Sequence, residues 1–469
     1  MEDKDEEGLL NLSLAIVSSD PSGENSKKRK RIVNVCKPAA HDGFHEGKVF
    51  KLLQAREEML KLAEHGKKRE NGGKGLHLIH SLLVAATSVD KNNMNSALES
   101  LVKLYQSVSL TGDSVQRVVA YFADGLFARI LTPKSPFYNM IMKEPSVEQQ
   151  LSAVTRLYKA SPYYQFAHFT ANQAIIEAFE ENQEPSTSRT LHVIDFDVSY
   201  GFQWPSLIQS LSETAASTGK QISLKLTGYG RSFEQLHETE TRLASFAKAI
   251  HNVVFEFQGL LRGSKPIIKE NENETVAVNL VLHHFDNNFV ESDMWETLRS
   301  VHSLRPSIVI LVEQEGNKNP RARSFLQRFV ESLHYFAAMF DSLDGCLPQE
   351  SNERLSIEKN HMGKEIKAMI NTDEGNKDGT WKKTMERHGF EGVKLSSKCL
   401  IQAKLLLKIT THNHFPFQRE GEINGGFRVF QKDEGKALSL GWQDRCLLTA
   451  SAWQCVRVPR INEFLGSSF

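Results

Sequence analysis

The sequence predicts an α/β fold: a doubly wound, mostly parallel sheet with an N-terminal helical cap and a disordered N-terminal tail. Three observations predict it. Residues 1–45 are polar and poor in aromatics, too thin in apolar surface to offset the entropy of ordering. From about Lys48 to Glu181, apolar residues recur at helical spacing with no good strand among them. From Leu191 onward, short apolar β-rich runs alternate with helical stretches, as parallel strands covered on both faces require. The expected divisions are a tail at 1–45, a helical cap at 46–184 and an α/β core at 185–469.

Within the cap, Ile79, Leu82, Leu83 and Ala86 share a helix face, as do Met94, Ala97, Leu98, Leu101 and Tyr105. Val115, Val118, Val119, Phe122 and Leu126 repeat the pattern after a Gly112-Asp113-Ser114 start signal. Two more helices are expected over Val147–Tyr158 and Tyr164–Glu181, and Glu184–Ser188 reads as a loop. In the core, the expected strands are Leu191–Phe196, Ile222–Thr227, Val253–Phe257, Val276–Leu282 and Ile308–Glu313. Helical stretches at Trp204–Glu213, Phe233–Ala249, Met294–Leu304 and Ala322–Phe340 separate or follow them, with right-handed crossovers. The runs Ala403–Ile409, Phe427–Gln431 and Leu447–Val456 read as an antiparallel finish to the same sheet, with a loop at Thr411–Gly426.

Composition excludes several classes. Lys and Arg total 57 against 57 Asp and Glu, so the body as a whole does not steer toward nucleic acid. No apolar run approaches ~18 residues, so no membrane span is expected. The first seven residues are acidic, unlike a secretory leader. The five cysteines (Cys36, Cys346, Cys399, Cys446 and Cys455) are scattered, which points to a reducing compartment and no zinc site.

In a doubly wound sheet, ligands bind beyond the carboxyl ends of the strands. The turn after the first strand runs Asp195-Phe196-Asp197-Val198-Ser199-Tyr200-Gly201-Phe202-Gln203-Trp204. A nucleotide or S-adenosylmethionine needs glycine-rich backbone there, and this turn has Gly201 among bulky aromatics. The second strand ends Thr227-Gly228-Tyr229-Gly230, without the acidic residue that takes a ribose hydroxyl pair. The scaffold therefore looks like that of a methyltransferase with a blocked pocket, and no cofactor is expected. His283-His284 lacks a spaced carboxylate for a metal site or a triad and reads as a polar strand end. His192 and Asp195, three apart on one strand, point to opposite faces; Asp195 is expected to cap the turn and His192 to be a satisfied core group.

Two segments of the tail stand out. Lys27, Lys28, Arg29, Lys30 and Arg31 form an unbroken basic run that favours nuclear import over a solvated tail or a nucleic-acid contact. Leu10, Leu12 and Leu14 alternate with small polar residues, as an extended peptide docking into a partner's pockets would.

The residues from about 76 to 457 resemble the plant GRAS family. Leu191-His192-Val193-Ile194-Asp195-Phe196, followed by Gln203-Trp204-Pro205, looks like its VHIID block. Leu76 to about Ile130 and Phe233 to about Val254 are similar to its two leucine-rich regions. Glu313 through Asp344, then Arg354 and Gly363-Lys364-Glu365, resemble its PFYRE block, and Trp442 with Ser451-Ala452-Trp453 its SAW block. Lys364-Glu365 stands where the family usually has Arg-Glu; lysine keeps the charge but loses the bidentate fork, so a salt bridge there should be weaker or differently placed. The helical region is most similar to the symbiosis-associated branch of nodulation and arbuscule regulators.

The resemblance implies a nuclear, non-enzymatic regulator of transcription. Its expected partners are other GRAS proteins, as homo- or heterodimers through the helical cap, and DNA-binding transcription factors. It raises Leu10–Leu14 to a candidate peptide for a Groucho-like corepressor. Trp442 and Trp453 are expected to be buried anchors. The alternative is an S-adenosylmethionine-dependent methyltransferase with an atypical pocket around Asp195, Gly228 and His283. Direct DNA contact through a groove of the body is a weaker third reading, which the neutral charge does not help.

Overall fold

The computed structural model describes residues 43–65, 75–131, 133–181, 189–264, 274–281, 291–317, 324–348, 350–372, 381–414 and 426–456. Helix α1 (Gly43–Glu64) leads into α2 (Gly75–Asp90), α3 (Met94–Ser107), α4 (Ser114–Ile130), α5 (Pro136–Met142), α6 (Val147–Ala160) and α7 (Pro162–Glu181). Local chemistry sets several of their starts. Asp113 accepts from the Gln116 N–H at the head of α4, and Ser146 and Gln149 form a reciprocal capping box on α6. Every residue from Arg117 to Ala128 is buried, so α4 is wrapped by its neighbours on all sides.

The strands are β1 (Arg189–Asp195), β2 (Ile222–Gly230), β3 (Val253–Leu261), β4 (Glu274–Val281), β5 (Ile308–Gln314), β6 (Phe390–Val393), β7 (Phe427–Lys432), β8 (Ala437–Trp442) and β9 (Arg445–Cys455). Among the described residues they form one sheet in the order β3-β2-β1-β4-β5-β9-β8-β7, with β6 also paired to β9. β1 to β5 are mutually parallel, and β9 runs antiparallel to β5. The order reverses direction between β1 and β4, which is the switch point where this class of sheet opens a crevice. Helices α8 (Trp204–Thr218), α9 (Phe233–Lys248) and α10 (Glu291–Ser303) cross between the parallel strands.

A second group of helices, α11 (Phe325–Asp344), α12 (Asn352–Ile357) and α13 (Gly363–Asn371), follows β5, with a π-helical turn at Glu358–Met362. These pack among the N-terminal helices: Phe122 of α4 meets Phe329 and Phe336 of α11, and Ile370 of α13 fits over Gly125. The later helices α14 (Trp381–Arg387) and α15 (Ser397–His414) precede β7. One hydrophobic cluster runs from Leu52 through the sheet to Ala452, so the N-terminal helices and the sheet share a core.

The five parallel strands lie where the apolar runs placed them. The run Ala403–Ile409 does not: it belongs to α15, not to the sheet. Cys399, Ala403, Leu406 and Leu407 are buried at spacings of four, three and one, so a helical face is hidden inside a nearly continuous apolar run. The true partner strand is β8, whose pairing with β9 buries all six of its residues. Thr411–His414 extend the helix, and the rest of the expected loop lies outside the described residues apart from Gly426.

Candidate functional site

The sheet register places Asp195 at the end of β1 beside Gly228 of β2 and Asn279 of β4. This row marks the carboxyl end of the crevice. Asp195 is buried and saturated with donors. Its Oδ1 accepts from the backbone N–H of Asp197 and from Asn279 Nδ2, both at 3.2 Å, and its Oδ2 accepts from Trp204 Nε1 at 3.2 Å. The expected cap is thus present, and the same carboxyl also ties β1 to β4 and to the head of α8. Burial, with Asp197 nearby, pushes the Asp195 carboxyl up to about 7.

Gln203 extends this network. Its Nε2 donates to Asn172 Oδ1 at 3.0 Å, and Asn279 Nδ2 donates to its Oε1 at 3.1 Å. Asn172 in turn donates to the Gln203 carbonyl at 3.0 Å, joining α7 to the start of α8. Pro205 occupies the first turn of α8, where its missing N–H costs no helical bond. Asn172 and Asn279 escaped the sequence reading. Asn279 carried a signal, an amide inside the apolar run of β4; Asn172 carried none.

The turn itself fills the crevice. The Val198 N–H donates to the Tyr229 carbonyl at 2.9 Å, binding the turn onto the end of β2. A Cβ built at Gly228 would lie 2.9 Å from Cβ of Val198, so the glycine makes room for this valine. Phe196 stacks on Tyr229 with ring centroids 5.0 Å apart. Ser199 (φ 45°) and Gly201 (φ 70°) turn the backbone through left-handed conformations. Helix α9 fixes that shape: Thr239 Oγ1 donates to the Ser199 carbonyl and an Arg242 guanidinium nitrogen to the Tyr200 carbonyl, both at 3.1 Å. Asp197 is buried and bonded to Arg262 at 2.7 Å. The cavity left between the turn, Tyr158, Tyr164 and His168 is about 30 Å³, room for one or two waters. Burial holds the His168 imidazole neutral, with its value down at about 3.

These residues do not fit S-adenosylmethionine. The backbone donor of Val198 is committed, valine methyls occupy the space over Gly228, and β2 ends without a carboxylate. His192 stands apart from Asp195 and is only half satisfied, contrary to expectation. Its Nε2 lies 2.9 Å from Thr227 Oγ1, but its buried Nδ1 has no hydrogen-bond partner among the described residues, with Glu274 Oε2 3.7 Å away, and burial lowers its basicity. Val193 and Ile194 are buried strand residues, with no solvent-exposed surface to offer.

The other motif residues lie elsewhere. Arg354 is buried and bonds Asp344 at 3.1 Å. Asp344 is shared with Arg117 of α4, whose Nε also donates to buried Glu358 at 2.9 Å. Arg117 was missed in the sequence, although a charge amid the apolar face of Val115–Leu126 was a usable signal. Lys364 pairs with exposed Glu144 at 3.0 Å, and Glu365 lies 3.6 Å from His361, so the lysine variant of the motif places its ion pair on the surface. Trp442 donates from Nε1 to Asp341 Oδ2 at 2.6 Å, and Trp453 to Ser451 Oγ at 2.9 Å; both indoles are buried, as is Ala452. Leu10, Leu12, Leu14, Lys27–Arg31, His283 and His284 lie outside the described residues.

Comparison with known proteins decides the family. A sequence profile described as "GRAS domain family" matches residues 78–454. The chain belongs to the GRAS domain family. This GRAS chain is 33% identical to Protein SCARECROW of Ipomoea nil over 86% of its own length and 49% of that protein's. It is 35% identical to DELLA protein 2 of Medicago truncatula, over 82% of this chain and 68% of the other. The crystal structure of SCL7 from Oryza sativa superposes with a TM-score of 0.62 at 30% identity, covering 80% of this chain and 99% of that one. The chain spans about half the length of the SCARECROW proteins it matches. Among the described residues no helix is long and apolar enough to cross a membrane.

Proposed function

We propose that this GRAS chain is a nuclear regulator of plant transcription that works by protein assembly and not by catalysis. The observation that carries the reading is the closed crevice, in which Val198 sits over Gly228 where a methyl-donor cofactor would need open backbone. A sheet whose switch point is filled by its own turn serves as a rigid support, and function moves to the surface and the tail.

In this proposal Lys27, Lys28, Arg29, Lys30 and Arg31 direct nuclear import, and Leu10, Leu12 and Leu14 engage a Groucho-like corepressor. The N-terminal helices present the face for homo- or heterodimers with other GRAS proteins, and DNA-binding transcription factors bring the assembly to its genes. Kinship with the symbiosis-associated branch belongs to the same proposal and rests on the helical region. The direct test is a reporter assay in plant cells with imaging of the tagged full chain. Neutralising the basic run should abolish nuclear accumulation, and replacing the three leucines with alanine should weaken repression while leaving import intact. Import and repression that both survive these changes would sink the tail assignments.

A further inference from the structure

Helix α15 (Ser397–His414) has two apolar faces. One, formed by Cys399, Ala403, Leu406 and Leu407, is buried. On the other side Ile401, Leu405 and Ile409 are 56%, 49% and 60% exposed. They follow one another at intervals of four, a single ridge of about 12 Å along the helix. Lone exposed apolar residues need no explanation; three in one row on one helix make a continuous apolar strip. Lys398, Lys404 and Lys408 are exposed beside this ridge, and among the described residues none of the three is paired with a carboxylate.

We propose that this face of α15 docks an acidic amphipathic helix of a partner protein, one with apolar side chains at i, i+4 and i+7 and Asp or Glu beside them. The ridge spacing suits a second helix lying along it, because helix rows interdigitate with helix rows. The lysines choose the sign of the partner. A second copy of this chain would bring its own three lysines against these, and like charges facing across an interface oppose it. A nucleic-acid backbone would satisfy the lysines but leave Ile401, Leu405 and Ile409 against phosphate, with no apolar surface to cover them. The inference is independent of the regulatory reading, since it uses the surface of one helix and not the crevice or the tail.

The test uses the full chain and a fluorescent synthetic helix carrying leucines at those positions flanked by glutamates, with a lysine-flanked twin as control. Anisotropy should give a dissociation constant on the order of micromolar for the acidic probe, weakening with salt, and at least about tenfold poorer binding of the twin. Leu405→Glu should weaken the acidic probe by about tenfold or more. The double change Lys404→Glu with Lys408→Glu should reverse the preference toward the lysine-flanked probe. These positions are exposed, so circular dichroism of each variant should match the parent. Equal binding of both probes, or no binding of either, would overturn the proposal. So would a concentration-dependent dimer in sedimentation that Leu405→Glu dissolves, because then a second copy covers the ridge.

Discussion

Gly228 and Val198 are fitted to one another: a side chain on the glycine would begin 2.9 Å from the valine Cβ, with both valine methyl carbons at 3.0 Å. The glycine therefore serves the chain's own turn. In a cofactor-binding sheet a glycine near this row would let the ligand approach the backbone; here a hydrocarbon side chain has taken that place.

Gly228→Ala should accordingly destabilise the protein. Overfilling a packed site typically costs about 1–3 kcal/mol, because the neighbour must shift or leave its rotamer. Val198 is held through its N–H to Tyr229, so it has little freedom to yield. Urea denaturation checks this, and Gly228→Ala combined with Val198→Gly, which removes the Cβ it would meet, should recover part of the loss.

Asp195 makes the stability pH-dependent in a defined direction. Its folded value is about 7 against an ordinary 3.8. The folded chain thus holds a proton that the unfolded chain has released, so this group's contribution is full below the unfolded value and is lost as pH rises toward about 7. Asp195→Asn removes the titration; its single amide oxygen keeps the Asp197 N–H and Asn279 donors, and its NH2 faces Trp204 Nε1, so that one bond is lost. Comparing denaturation midpoints at about pH 5 and about pH 8, the variant should show a smaller decline than the parent. Some decline should remain, because Glu358 is also raised to about 7 by burial.

The ion pairs around the PFYRE block should differ sharply in worth. Arg117→Met takes the guanidinium hydrogen bond from buried Glu358, leaving it Arg354 at 4.0 Å, and leaves Asp344 with Arg354 alone among the described residues, a loss of about 3–5 kcal/mol. Lys364→Ala removes an ion pair whose acidic partner is 67% exposed, worth less than about 1 kcal/mol. Thermal melts of the two variants should separate them clearly. Equal losses would mean that the surface pair carries more than its exposure allows.

The parallel sheet was legible because β1, β2, β4 and β5 are short apolar runs separated by helices, and a parallel strand has few other ways to be written. Asp195 was legible as a turn cap because it ends such a run. What escaped notice depends on distant partners. Arg117 and Glu358 are 241 positions apart, and neither residue type announces the other. Asn172 looks like an ordinary helix residue until Gln203 is seen opposite it. The run Ala403–Ile409 misled because Ile401, Leu405 and Ile409 fill the outer face of α15 with apolar residues, erasing the contrast on which periodicity depends.

The measurement that bears most directly on the closed crevice is calorimetric titration of S-adenosylmethionine into the full chain. No heat and no thermal stabilisation at millimolar ligand is the predicted result, with Val198 and its turn occupying the place of the cofactor. Micromolar binding, lost in Gly228→Ala, would contradict it and would make the crevice a working cofactor site.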